Sequence, residues 1–263
     1  MIKNYFKVAW RNLVKNKGYS AINIGGLAVG MAVAMLIGLW VFDELSFDRY
    51  HKNYDRIAQV MQHANFNGKV ETQDANPAVM GPELRNKYGD NFKHVVQSSW
   101  SGGHLLSIGD KHITQTGSFL EPGAPEMLSL KMLKGSRAGL KDPYSIMLSA
   151  SVAESIFGKE NPINKVIKLD RNSDVKVTGV YEDLPGNTSF RELKIMMPWQ
   201  LWLIQNPWAK NMEEPWGSNF SQTFVQVADN ADMEKVSAKI KNTKLNNVGK
   251  EEKNINGLFF CNP

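Results

Sequence analysis

An α+β domain behind one N-terminal membrane-spanning helix is what this sequence predicts, and three features predict it. A charge-free apolar run lies near the start, five basic residues crowd ahead of it, and the remainder mixes short alternating strands with a few short helices. Lys3, Lys7, Arg11, Lys15 and Lys17 meet no acidic residue before Asp43, and beyond them the 26 acidic residues of the chain are matched by as many basic ones. The pI of 9.1 therefore describes a membrane flank and not a nucleic-acid surface, so no nucleic-acid partner is expected.

Residues 1–18 read as a basic amphipathic helix. Ile2, Tyr5, Phe6, Ala9, Trp10, Leu13 and Val14 recur at helical spacing, with Lys3, Asn4, Lys7, Arg11 and Lys15 opposite them. Such a helix suits the membrane surface, where lysines meet anionic lipid, and suits a partner protein equally well. Residues 19–42 read as the span: Ser20 to Phe42 carry no charge, and as a helix would extend about 34 Å across a hydrocarbon core of about 30 Å. Tyr19 and Trp40 lie near its ends, and the preceding lysines favour a cytoplasmic N-terminus with everything after Phe42 outside. A cleaved signal peptide is the competing reading, but the apolar run exceeds the usual core of about 7 to 15 residues. Gly26, Gly30, Ala34 and Gly38 repeat every fourth residue, a stripe on which a second helix can pack closely.

Residues 43–263 form the exported domain. Its single cysteine, Cys261, rules out an internal disulfide, so packing must hold it together. Alternation from Asp55 to Gln62 opens it, and a helix follows from Pro77 to Tyr88. Strands are expected at His94–Gln97, His104–Ile108 and His112–Thr116, with Gly102-Gly103 and Gly109-Asp110 as turns. Further strands are expected at Met127–Leu133, Ser145–Leu148, Val166–Leu169, Val175–Tyr181 and Thr223–Val227. Helices are expected at Ser149–Phe157, with Ser149 as N-cap and Gly158 as stop, and at Asp232–Lys241.

Chemistry-bearing patterns are missing from this reading. There is no phosphate-binding G-x-x-x-x-G-K-[ST] loop, no H-E-x-x-H pair among His51, His63, His94, His104 and His112, and no G-x-S-x-G elbow. His104 and His112 share a hairpin but read as surface positions; Ser149 reads as a cap. Asp43-Glu44 and Glu213-Glu214 are neighbours in sequence whose side chains diverge. Hence no catalytic residue, metal ligand or cofactor is expected. The richest contact region is Trp199, Trp202, Trp208 and Trp216, interleaved with Pro198, Pro207 and Pro215. It reads first as filling between two lobes and second as a docking surface for a partner.

Several motifs in order carry a resemblance. Asp43-Glu44-Leu45-Ser46-Phe47-Asp48-Arg49-Tyr50-His51, then Asp55-Arg56-Ile57, resemble the opening of the exported domain in FtsX/MacB-type ABC transporter permeases. Phe119-Leu120-Glu121-Pro122, Leu133-Lys134-Gly135, Ile146-Met147-Leu148-Ser149, Phe157 to Ile163, Val177-Thr178-Gly179-Val180 and Asp183 to Phe190 continue it, most like the long two-unit permeases of Bacteroidetes-type bacteria. The resemblance implies a two-lobed periplasmic core: a porter-like α/β part over residues 43–99 and 186–263, and an inserted β-rich lobe over 100–185. It also implies a permease subunit worked by a separate cytoplasmic ATPase, for export, lipoprotein release or envelope work, with a periplasmic or outer-membrane partner. Family permeases carry at least three further spans, whereas this chain closes on Asn256 to Pro263. It therefore reads as a truncated or frame-shifted fragment, needing the remaining permease helices or a second permease copy. A single-span sensor or binding module is the alternative class.

Overall fold

The computed structural model describes residues 2–66, 69–248 and 258–262. They fall into two units, Met1–Phe47 and Asp48–Pro263. The first holds α1 (Ile2–Lys15) and α2 (Lys17–Leu45). At 29 residues α2 is about 43 Å long, none of its side chains is buried, and it is long and apolar enough to cross a membrane.

The second unit is mixed α and β, as expected. Its strands are β1 (Ile57–Phe66), β2 (Lys69–Gln73), β3 (Asn76–Pro77), β4 (Phe92–Ser98), β5 (Gly102–Ile108), β6 (Lys111–Leu120), β7 (Met132–Gly135), β8 (Ser145–Ser149), β9 (Val166–Leu169), β10 (Ser173–Tyr181), β11 (Ile195–Pro198), β12 (Asn219–Val227) and β13 (Leu258–Asn262). Its helices are α3 (Met80–Tyr88), α4 (Ala124–Met127), α5 (Ala150–Phe157), α6 (Trp199–Gln205) and α7 (Met233–Ile240).

Six strands close into a ring in the order β11, β8, β10, β9, β5, β6, because β11 pairs β8 antiparallel and β6 in parallel. Alternate residues of each strand point inward, so Leu106, Phe119, Ile146, Leu148, Ile167, Leu169, Val175, Val177, Ile195 and Met197 share one core, with α5 and Trp199 against it. Each fully buried aliphatic side chain contributes about 1.5–3 kcal/mol. The ring takes in Ile195–Pro198, beyond residue 185 where the sequence ends the inserted lobe. Its closing pair joins Gly117 to Ile195, a long-range contact without a local signal.

Beyond β6, one pairing of Ser98 with Leu120 leads into the antiparallel set β4, β12, β1 and β13. Ala58, Val60, Val225 and Val227 on this sheet pack with Met80 and Leu84 of α3 and Val236 and Ile240 of α7. A third core lies between the sheet and the ring, gathering Ile57, Val96, Leu120, Met127, Leu130, Leu140, Met147, Tyr181, Leu184, Phe190, Leu193 and Met196.

Three expected elements shift. The strand at Met127–Leu133 is split: Pro125 opens the short α4, Ser129 turns the chain at φ 54°, and only β7 pairs, with β10. The helix at Pro77–Tyr88 begins at Met80, since Asn76 and Pro77 pair with β12. Ser149 occupies the N-cap position of α5 but makes no capping bond there. The cap comes from Asp183, whose carboxylate accepts the Ser151 N–H at 3.0 Å and its hydroxyl at 2.6 Å. Gly158 does end α5 at φ 59°, and Asp232 caps α7 by accepting the Lys235 N–H at 3.0 Å.

Ring closure also depends on a residue without a side chain. A Cβ on Gly117 would lie 2.2 Å from the Ile195 carbonyl oxygen, while one on Gly89 meets nothing within 4 Å. Gly117→Ala is expected to lower unfolding free energy by about 1–3 kcal/mol, and Gly89→Ala to leave it nearly unchanged, by denaturant titration of the full chain.

Candidate functional site

The residues that open the second unit are fastened to the loop between β10 and β11. Asp48 takes a left-handed conformation at φ 57°, one that aspartate tolerates better than bulkier residues. Its N–H donates to the Asn187 carbonyl at 2.9 Å. Its carboxylate accepts the Ser189 N–H at 2.8 Å, the Ser189 hydroxyl at 2.7 Å and the Thr188 hydroxyl. Thr188 is fully buried and lies 140 residues from Asp48 in sequence.

His51 completes the fastening from beneath. It is 1 % exposed, with Nδ1 2.7 Å from the Leu128 carbonyl oxygen and Nε2 3.0 Å from Thr188 Oγ1. A carbonyl only accepts, so Nδ1 carries a proton. Thr188 has one hydroxyl hydrogen, so two arrangements are open. With an imidazolium ring Nε2 donates to Thr188 and the hydroxyl donates to Asp48; with a neutral ring Nε2 accepts the Thr188 hydrogen bond and the Asp48 carboxylate keeps its two Ser189 donors. Burial, the largest influence, pushes His51 below its ordinary value; the Leu128 carbonyl and the Asp48 charge push the other way and lose. Phe190 stands edge-on to His51 at 5.5 Å between ring centroids, and Tyr50 does so at 5.3 Å. The Tyr50 hydroxyl is pushed up by burial and by the Glu182 carboxylate, which Lys131 holds at 2.9 Å.

This set does not resemble a hydrolytic triad. There the imidazole sits between hydroxyl and carboxylate, taking a proton from one and being oriented by the other. Here the hydroxyl sits between, already donating or accepting on both sides, and it is buried.

The sequence-derived candidates lie elsewhere. Lys3, Lys7, Arg11 and Lys15 are exposed on α1, and Lys17 starts α2. Gly26, Gly30, Ala34 and Gly38 are exposed along α2, and a Cβ on any of the three glycines would meet nothing within 4 Å. The tryptophans divide. Trp199 is buried and stacks on Trp202 at 4.7 Å; Trp202 stacks on Phe220 at 5.5 Å; Trp208, 52 % exposed, closes the group edge-on. Trp216 packs instead beside the α3 and α7 core. His104 and His112 sit on β5 and β6 but do not converge: His104 binds Asp170 at 2.7 Å and His112 binds Ser107 at 2.9 Å. Sequence reasoning passed over Asp48, His51 and Thr188 as a site. Their presence in the two motifs that carried the resemblance, Asp43 to His51 and Asp183 to Phe190, was the available signal.

An apolar helix of spanning length leads into an α+β domain made of a closed strand ring and an adjoining helix-covered sheet. Solved structures share this fold. A domain assigned to a permease protein from Porphyromonas gingivalis aligns with TM-score 0.66 and 16% identity, covering 81% of this chain and 90% of its own. The periplasmic region of MacB from Actinobacillus actinomycetemcomitans aligns with TM-score 0.57 and 14% identity, over 81% and 91%. The extracellular domain of the noncanonic ABC-type transporter YknZ from Gram-positive bacteria aligns with TM-score 0.53 and 14% identity, over 79% and 100%. No curated protein matches the chain significantly. The chain belongs to the MacB-like periplasmic core domain family, whose model matches residues 20–243.

Thr188→Val removes the only group bonded to both His51 and Asp48. It should cost about 1–3 kcal/mol and raise hydrogen exchange at residues 48–51 and 187–190 above that of the ring core. Because the folded His51 binds its proton less readily than the unfolded chain does, the unfolded state takes up more protons below about pH 6.5, and stability should fall as pH drops through that value. In melts from about pH 7.5 to 5, His51→Gln should remove part of that slope. The remainder comes from His94, pushed down by burial and by neighbouring Lys93.

Proposed function

We propose that the chain is a permease subunit of an ABC-type transporter, whose extracytoplasmic domain is moved by a separate cytoplasmic ATPase and performs mechanical work, not bond chemistry. The observation that carries the reading is the fastening of Asp48 and His51 to Thr188 and Ser189, since force arriving along the chain from α2 reaches these bonds first. Buried, charge-assisted hydrogen bonds transmit displacement better than a solvated linker. In this reading the N-terminus is cytoplasmic, α1 lies on the inner leaflet through Lys3, Lys7, Arg11 and Lys15, and the Gly26 to Gly38 stripe packs on further permease helices or a second copy. The exposed edge of Trp208 is offered to a periplasmic or outer-membrane partner. A single-span anchored sensor is the second reading, in which α2, long and apolar enough to span by itself, serves as the anchor.

Two preparations test these readings. With Cys261 replaced by serine, a cysteine at Lys52 should react with a membrane-impermeant maleimide in intact cells, and one at Lys7 should react only after permeabilisation. In proteoliposomes also holding the nucleotide-binding subunit of the same operon, trapping with ATP should change hydrogen exchange at residues 48–51 and 187–190 at least about threefold. An unchanged pattern favours the sensor.

A further inference from the structure

Beside the fastening, a cavity of about 350 Å³ opens between the sheet and the β10–β11 loop. Its floor comes from Gln59 of β1, Ser98 of β4, Ser118 of β6 and Phe224 of β12, and its rim from Trp100 and Ser189. Among the described residues no charged one lines it, which disfavours ionic ligands because an unpaired charge taken from water costs far more than it returns.

The polar groups on the wall are of both kinds. Gln59 lines the cavity, and its Nε2, shielded from solvent and without a hydrogen-bond partner, carries a cost of about 1–3 kcal/mol that turning the amide towards an occupant would recover. Ser101 and Ser118 share a single hydrogen bond at 2.9 Å, so one of the two hydroxyl hydrogens is left over. Ser98 donates to the Ser99 carbonyl at 2.7 Å and Ser189 donates to Asp48, which leaves both with lone pairs to offer. The wall thus offers both donors and acceptors, which hydroxyl groups, each of which is both, can answer. The rest of the wall is Gln222, the aromatic Trp100, Phe190 and Phe224, and the aliphatic Leu120 and Leu193. Trp100, 43 % exposed, is steadied by its indole N–H on Asp74 at 3.3 Å, and the same carboxylate holds the Gln222 amide.

We infer that this cavity is a binding site for one uncharged pyranose ring, its hydroxyls on Gln59 and the serine set and its C–H face on Trp100. The volume is at the lower end of small-molecule sites, of order 300–1,000 Å³, as a single ring requires. Phe190 lines the cavity and also meets His51 edge-on, so an occupant bears on the fastening through one side chain. The site stands on the cavity alone and does not require the transport reading.

The test is saturation-transfer NMR on the full chain in a detergent without a sugar headgroup, with methyl glucoside and N-acetylglucosamine as probes. Transfer to at least one, with a dissociation constant of about 1 mM, is expected, and both Gln59→Leu and Trp100→Ala should weaken it about tenfold or more at unchanged melting temperature. Glucosamine and glucuronate should bind at least about tenfold more weakly than their neutral counterparts. Absence of transfer at about 20 mM, insensitivity to both substitutions, equal binding of the charged sugars, or tighter binding of a neutral blocked dipeptide would overturn the assignment. Should Gln59→Leu melt early, Trp100→Ala, an exposed change, decides alone.

Discussion

A single hydroxyl group, that of Thr188, bridges the residues that open the second unit to a loop far along the chain. Asp48 and His51 come from the first residues of that unit, Thr188 from a loop 140 residues later, and each needs the others to have its polar atoms satisfied. Remove the hydroxyl and a buried imidazole nitrogen and a carboxylate oxygen lose the group that joins them, a cost that falls on the junction and not on either core. The third core grows outward from this point, with Phe190 and Leu128 contributing side chains to it and a backbone atom to the fastening.

Around that junction the ring core and the sheet core are built on different principles. The strand ring satisfies its backbone by closing on itself, leaving no ladder edge within it. The β4, β12, β1 and β13 sheet instead takes one covering from α3 and α7. Backbone pairing between the ring and that sheet is short, Ser98 with Leu120 flanked by the Ser99–Phe119 and Glu121–Gln97 bonds, so side chains such as Val96, Leu120 and Met196 carry much of the connection. An interface of that kind, apolar and bounded by a few directed bonds, permits small rigid-body adjustment more readily than a continuous sheet does.

Local signals in the sequence were strong where structure is local. The charge-free run marked α2, Gly158 and Asp232 marked helix ends, and β9 matched its apolar alternation residue for residue. What the sequence could not show was exchange between distant segments. Ser149 looked like a cap because it precedes a helix, yet Asp183 from across the fold supplies the bond. The β11 strand is four residues with no polar alternation, and only its partners on both sides define it. The four tryptophans looked like one cluster because they are close in sequence, but Trp216 belongs to a different core. The fastening was visible only as two motifs that belonged to one family; that they touch is a fact of three dimensions.

The way the ring closes also bears on how the domain is made. Its last strand, Ile195–Pro198, completes pairings on both flanks, so β6 and β8 stay unpaired on one side until the chain has been delivered past residue 198. Contacts of such long sequence range form slowly, and open strand edges recruit other strands. A domain delivered from its N-terminal end therefore passes through a vulnerable interval of nearly eighty residues, from Leu120 to Pro198, during which a holding chaperone would have unprotected backbone to grip.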